Sequence, residues 1–445
     1  MSPEPAETLL SGWGGTPRSR ATVHAGDPAA FAELAKGDRG LLARGLGRSY
    51  GDAALNAGGA VLDMTAFAGI ESFDTERGLL RARAGTSIAD VVDAAVPQGW
   101  FPAVVPGTRF VTVGGAIASD IHGKNHHRDG SFCSHVESMT LWTPGGGERD
   151  LAEGDAFWAT AGGMGLTGVV THATLRLHPI SSAWMRVDTE RASDLDDLMA
   201  RMVERDDEYR YSVAWVDLLA TGASMGRSIL MRGDHAAGTD VGARDPFAFR
   251  TRRRVGAPPW APPGLLNRWT GRAFNEVWYR KAPRSRVGGI ESIEAFFWPL
   301  DFVHGWNRLY GRHGFMQYQF VVPRGAEDVL RRVVERLSGA GLPSFLAVLK
   351  QFGEQPGFLS FPLPGWTLAL DIPAGPRTPA AIFRDLDRDV ADAGGRIYFA
   401  KDARMDPGLV RAMYPALERW RNVQADLDPA GAMRSDLARR LRLLD

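Results

Sequence analysis

The residues best suited to chemistry in this chain lie in three glycine-rich stretches, with a few imidazole, amide and ammonium side chains beyond them. The first stretch, ARGLGRSYGD (Ala43 to Asp52), spaces Gly45, Gly47 and Gly51 differently from the G-x-G-x-x-G dinucleotide turn, and no helical pattern follows it. It offers a run of backbone N–H groups beside Arg48 and Ser49. Glycine lets the main chain approach an anion, and adjacent N–H groups form a nest for it, so the stretch suits a diphosphate. A tight structural turn reads equally well from these residues alone. The second stretch, PGTRFVTVGGAIASDIHGKNHH (Pro106 to His127), sets Gly107 before a threonine and opens a run of small residues at Thr112-Val113-Gly114-Gly115. Small side chains there let a flat ring or phosphates lie against the backbone, and His122 and Lys124 place an imidazole and a cation beside that surface. The third, GGMGLTGVV (Gly162 to Val170), leads four glycines straight into a strand, which implies close backbone packing or a bulged turn. Each is as readily structural on its own; three in this order in one domain call for a large bound cofactor.

Further along, Gln317 and Gln319 alternate in FMQYQFV and so share one face of a strand. Two amides there suit sugar hydroxyls, a polar outer face being the plain alternative. Lys401 follows Tyr398 at a Tyr-x-x-Lys spacing that would aim both at one pocket; the plain alternative is an exposed lysine. His122, His126 and His127 lack a carboxylate or thiolate in ligand spacing, so no metal site is expected. Cys133, the single cysteine, allows no intrachain disulfide and reads as a small buried hydrophobe.

The elements that must position these groups follow from periodicity. Leu41 to Ala43, Ala60 to Met64, Leu79 to Ala84, Val136 to Thr143 and Gly168 to Leu177 read as strands, and Ile88 to Ala95 as a helix. The alternation in GVVTHATLRL fits a half-exposed antiparallel strand. A domain boundary falls near residue 182. Beyond it, 189–208 has helical spacing, Tyr211 to Val216 reads as a strand, and 232–290, dense in Pro, Gly and Arg, reads as a long mobile loop. Strands at Phe315 to Val322 and Thr367 to Ile372, with helices at Glu327 to Gly339 and Ala380 to Ala393, form a second layered domain. The last fifty residues read as mainly helical.

At 445 residues the chain holds two or three domains. Its 52 basic and 52 acidic residues cancel, which gives no concentrated positive field for nucleic acid. The N-terminus lacks a secretory pattern and no run is long enough to span a membrane. A cytoplasmic protein, or one peripheral at the cell membrane, is expected, with the periplasmic face left open.

The order RGLGRSYGD, PGTRFVTVGGAIASDIHGKNHH, FWATAGGMGLTG resembles the PCMH-type FAD-binding domain of the vanillyl-alcohol oxidase superfamily. More narrowly it resembles the decaprenylphosphoryl-β-D-ribose oxidases, the flavoprotein half of the epimerase that makes the arabinose donor for cell-wall arabinan. The likeness continues through NEVWYRK (Asn275 to Lys281), WNRLYG (Trp306 to Gly311), FMQYQFVVP, SFLAVLKQFG (Ser344 to Gly353), LSFPLPGW (Leu359 to Trp366), IYFAKDAR (Ile397 to Arg404) and SDLARRL (Ser435 to Leu441). It therefore covers the chain from about Leu41 to the end.

The resemblance implies an α+β, two-domain vanillyl-alcohol oxidase-type FAD-binding fold with an antiparallel-sheet substrate domain. The expected limits are 1–182 for the FAD domain, 183–395 for the substrate domain and 396–445 for a segment returning to the FAD domain. It implies that Ala43, Arg44, Gly45, Leu46, Gly47, Arg48, Ser49, Tyr50, Gly51, Asp52 and Ala53 wrap the FAD diphosphate. Gly107, Thr112, Val113, Gly114, Gly115, Ser119, Asp120, Ile121, His122, Val170 and Tyr398 would line the rest of the cofactor. Many relatives attach FAD through a histidine in the first loop; Arg48-Ser49-Tyr50 stand here, so non-covalent FAD is expected. The implied reaction oxidises the ribose 2′-hydroxyl of a polyprenylphosphoryl sugar to the ketone, with His122 and Lys401 around that hydroxyl. Tyr310, Gln317, Gln319, Lys350, Trp366 and Lys401 would bind substrate. A short-chain dehydrogenase-type keto-ribose reductase would be the partner, and RTRRR (Arg250 to Arg254) with the following Pro-rich segment would touch the membrane. An FAD-dependent oxidase of a free polyol or sugar lactone is the alternative. Well-known members carry asparagine and cysteine where this chain has Thr367 and Ala369, which changes the pocket wall and not the reaction type.

Overall fold

The computed structural model describes residues 5–242, 244–249, 255–257, 267–342, 344–375 and 380–444; RTRRR and the segment 258–266 lie outside them. The fold is α+β in two domains. The first glycine stretch leaves a small sheet in which Ala60–Asp63 is flanked in parallel by Arg18–Ala25 and Leu41–Arg44. Ala6–Ser11 adds an antiparallel edge. The stretch thus sits at the carboxyl end of a parallel strand, where open α/β sheets hold ligands.

A second, antiparallel sheet is built around Val169–Pro179, paired with Leu79–Arg83 and Val136–Thr143. In Val169–Pro179 the side chains of Ala173, Leu175 and Leu177 are buried while Arg176 is exposed, as the alternation predicts. Helix Ile88–Ala95 starts at a capping box, Ser87 accepting from the Asp90 N–H and Asp90 accepting from Ser87, and turns Ile88, Val91, Val92 and Ala95 into this core.

Between Pro179 and Trp184 the chain passes to an eight-stranded sheet. Its order is Ser285–Ser292, Trp184–Ala192, Ser228–His235, Tyr211–Val216, Ala347–Phe352, Gly365–Pro373, Phe315–Pro323 and Arg396–Ile397. Every pairing in it is antiparallel. Helices Leu195–Arg205, Glu327–Ala340 and Ala380–Asp392 supply Leu198, Leu330, Val333, Val334, Leu337 and Leu386 to one core with the sheet. Each such side chain contributes about 1.5–3 kcal/mol of burial. The other face looks toward the first domain.

Two expectations are corrected. The span 189–208 is not one helix: Trp184–Ala192 is a strand paired on both sides, and the helix starts only at Leu195, capped by Asp194. The span 232–290 is not one long loop. It contains the end of strand Ser228–His235, the 14-residue helix Arg268–Lys281 and most of strand Ser285–Ser292.

Candidate active site

The first glycine stretch is held by its own charged side chains. Arg44 donates to the carbonyls of Ser11 and Ala54, both at 2.8 Å. Arg48 donates to the Phe110 carbonyl at 3.0 Å and stacks on Trp13. Asp52 accepts two bonds of 2.8 Å from Arg440, near the chain's end, and Arg440 also pairs with Asp402. These three charged side chains are committed to the protein, so a bound group would meet chiefly the main chain of the stretch. The N–H groups of Leu46, Gly47 and Ser49 have no partner among the described residues. At Gly51 a Cβ would lie 1.8 Å from the Asp402 carbonyl oxygen, so only glycine lets the two segments meet.

The second stretch begins helix Val113–Ala118 behind a Thr112 cap, then enters the loop that carries His122. Asp120 takes a left-handed backbone, φ 37°, and its carboxylate gathers four donors. These are Ser131 Oγ, the Cys133 N–H, Ser360 Oγ and Gln355 Nε2. Asp120 therefore ties the His122 loop to segment 355–360. Cys133 is buried, and its N–H is spent on that carboxylate. Met164, in the third stretch, donates its N–H to the Ala118 carbonyl, packing that stretch under the helix; Val170 is the second residue of the following strand.

Against these loops the eight-stranded sheet presents one face. Gln317, Gln319 and Val321 alternate on their strand opposite Asp371, Ala369 and Thr367, and Lys350 is paired with Thr367. Lys401 and Tyr398 arrive on a turn after the edge strand Arg396–Ile397, where the Tyr398 carbonyl accepts from the Lys401 N–H. Tyr398 donates its hydroxyl to the Ser119 carbonyl at 2.8 Å, and the Tyr50 N–H donates to the Ala400 carbonyl. The structure thus brings His122, Tyr50, Gln317, Gln319, Lys350, Tyr398 and Lys401 to one junction.

Hydrogen bonding at this junction fixes proton positions. Thr367 Oγ1 donates to the Phe320 carbonyl at 2.9 Å, which spends its only hydrogen. The atom of Gln319 that meets it at 3.2 Å is therefore the amide nitrogen, and the same nitrogen lies 2.9 Å from His122 Nε2. His122 Nε2 must accept, so the neutral ring carries its hydrogen on Nδ1. That Nδ1 is buried without a partner. Phe352, Phe361 and Tyr398 surround the ring, and burial, then the Lys350, His126 and Lys401 charges, hold it neutral, well below the usual histidine range.

Three lysines share this space. Burial pulls Lys401 down to about 7, with Asp371 opposing and Lys350 adding to the fall. Lys350 falls to about 8 by burial, and its Nζ lies 3.4 Å from the Gly123 carbonyl oxygen. Lys124 falls to about 7 by burial and by Lys350, its ammonium bonded to the Phe296 carbonyl and set over the Phe296 ring. Lys401 sits 3.8 Å over the centre of the Tyr50 ring. Asp371, fully buried, is pushed up to about 7 by burial, against a bond from Gln317 at 2.5 Å and the Lys401 charge. Tyr310, stacked on Phe315, points its hydroxyl at the other Asp371 oxygen.

Trp366 is not brought to this junction. It precedes Thr367 on the strand, so it faces the helices, where its indole N–H donates to Glu327 at 2.9 Å. The residue that sequence reading missed as a site group is Asp371. The signal was available: Thr367, Ala369 and Asp371 alternate on the strand that pairs with Gln319, and a carboxylate within an otherwise apolar run is unusual.

The residues fit a flavin dinucleotide. Unpartnered loop N–H groups suit its diphosphate, a Cβ on Gly107 would meet open space, and the orphaned His122 Nδ1 awaits a polar group. Comparison with known proteins agrees. A family described as an FAD binding domain matches residues 24–152. The decaprenylphosphoryl-β-D-ribose oxidase of Mycolicibacterium smegmatis is 40% identical, over 98% of this chain and 97% of its own. An uncharacterized Streptomyces coelicolor protein is 42% identical over 79% of this chain and 99% of its own. The L-gulono-1,4-lactone dehydrogenase of Mycobacterium tuberculosis is 24% identical over 92% of both chains.

Proposed function

This chain belongs to the decaprenylphosphoryl-β-D-ribose oxidase family of FAD-dependent oxidoreductases, and from that membership we propose that it oxidises the ribose 2′-hydroxyl of a polyprenylphosphoryl ribose to the 2′-ketone. The observation that carries the reading is the meeting of His122, Gln319, Lys350 and Lys401 in one buried junction between the glycine loops and the antiparallel sheet. FAD, when bound, supplies the acceptor for the hydride that leaves the carbinol carbon.

The chain's own residues handle orientation and the proton. Lys401, poised near 7, takes the hydroxyl proton as a free amine. His122 donates from Nδ1 to the sugar oxygen and favours negative charge developing on it, because Gln319 keeps Nε2 an acceptor. Gln319, its amide nitrogen held by His122 and Thr367, offers a sugar hydroxyl its carbonyl oxygen, and Gln317 stands beside it on the same strand face. Lys350 and Lys124 favour an anionic substrate, and a substrate phosphate suits them. The main chain of Ala43 to Ala53 holds FAD non-covalently.

The product ketone calls for a short-chain dehydrogenase-type reductase to return it as the arabinose epimer. Among the described residues no helix is long and apolar enough to cross a membrane, so approach to a lipid-borne substrate would be peripheral. The test is an anaerobic visible spectrum of the purified protein with a polyprenylphosphoryl ribose. Bleaching of the flavin band with this substrate and not with free ribose or ribitol is expected. Bleaching by free polyols or a sugar lactone would move the protein to a soluble-sugar oxidase.

A further inference from the structure

Helix Arg268–Lys281 carries its polarity inverted. Its buried contact with the protein runs along Gly271 and Asn275 toward Tyr279, four residues apart, with Glu276 paired to Arg227 beside them. Gly271 packs so closely that a Cβ would lie 2.8 Å from Leu219, Asn275 donates to Asp217 at 2.6 Å, and the Tyr279 hydroxyl reaches the Ala192 carbonyl. The large apolar side chains point outward: Trp269 is 68% exposed, Phe274 46%, Val277 66% and Trp278 43%. Phe274 and Trp278 stack on each other in parallel. Val287, on the adjoining edge strand, is 72% exposed. A monomeric surface rarely gathers this many aromatic and branched side chains in one place.

The charge beside this patch is one-sided. Arg268, Arg272, Arg280, Lys281, Arg284 and Arg286 lie on or beside the helix, opposed by Glu276 and Glu291. Exposed tryptophans interleaved with cations are what an interfacial helix presents to anionic headgroups, the rings entering the acyl boundary and the cations staying at the phosphates. A second copy of the chain on this face would set like charges against each other. We infer that helix Arg268–Lys281 is the surface by which this protein docks on an anionic lipid bilayer. The inference rests on the proposed lipid-borne substrate for its purpose. Its place fits that purpose: Phe274 packs on Phe345, just ahead of strand Ala347–Phe352, which carries Lys350 to the site.

The test uses the flavin-loaded full chain and vesicles of phosphatidylglycerol and phosphatidylcholine, with flotation as the readout. Wild type is expected to float with mixed vesicles, poorly with phosphatidylcholine alone, and less as salt rises. Trp269→Ser with Trp278→Ser should reduce the bound fraction at least tenfold. Arg272→Glu with Lys281→Glu, which keeps every aromatic, should do the same and guards against misfolding of the first pair. Undiminished binding by both variants would overturn the proposal, as would wild type that ignores anionic vesicles. A wild-type dimer that the tryptophan pair converts to monomer would also overturn it, because the face would then meet a second copy. Turnover of a short-chain polyprenylphosphoryl ribose in detergent should be the same for wild type and both variants. Its absence in wild type would sink the proposed reaction and leave the lipid result standing.

Discussion

Gln319 reaches His122 at 2.9 Å with a nitrogen whose identity is set one residue further on, by Thr367, whose hydroxyl hydrogen is already spent on a main-chain carbonyl. A relay of three side chains from two strands and a loop thus decides which ring nitrogen of a buried histidine can donate.

Reversing that relay should be costly. Gln319→Glu presents an acceptor to Nε2, draws the ring hydrogen there and strips Nδ1 of its donor. Flavin reduction by substrate should slow on the order of a hundredfold. The milder Thr367→Val, which frees the Gln319 amide to turn, should cost about fivefold, near the worth of one hydrogen bond. Stopped-flow reduction measures both, and a Gln319→Glu enzyme with unchanged rates would dismiss the relay from catalysis.

Lys401 should leave its mark on the pH profile. The amine is the form that accepts a proton, and burial brings it down to about 7. Activity should therefore climb as pH rises through about 7 and level off above it. Lys401→Met should lower kcat/KM by roughly a hundredfold or more and remove that rise. A full-rate Lys401→Met enzyme would assign the proton to another group.

Cofactor attachment can be read by eye. The loop from Ala43 to Ala53 contains no histidine, and the lone Cys133 is buried. Acid precipitation should release the yellow colour into the supernatant. A yellow pellet would mean a covalent link.

The Arg440 ion pairs predict a coupled loss of stability and cofactor. Arg440→Ala leaves the carboxylates of Asp52 and Asp402, both nearly buried, without their cation, at a cost of roughly 3 kcal/mol. The melting temperature should drop and FAD should bind more weakly, because Asp52 ends the glycine stretch. Calorimetry and a flavin titration check both; a loss of stability with undiminished flavin affinity would separate the pair from the cofactor loop.

Legibility in the sequence followed the strength of local pattern. The two-residue alternation of Gln317 and Gln319 placed them on one face, and the glycine stretches marked loops that pack against that junction. The same alternation, applied to Trp366-Thr367, would have turned the indole away and brought Asp371 in beside Thr367. A family motif named the tryptophan, but pleating decides which of two neighbours faces the site. In Trp184–Ala192 the charges Arg186, Asp188, Glu190 and Arg191 mimic a helix surface, while long-range pairing on both sides makes it a strand. Helix Arg268–Lys281 escaped because its apolar residues face outward, so no core-facing stripe marks it. The His122 proton position is written in no segment; it exists only where three come together.

Met433 bridges to Leu41, Arg440 grips Asp52, and the turn at Tyr398–Lys401 closes the junction, so segments remote in sequence fasten one another. Arg440 and Asp52 are 388 positions apart in the sequence, and the entropy of closing so much intervening chain must be met before such a contact stabilises anything. Competence of the junction therefore waits on the most non-local contacts of the fold.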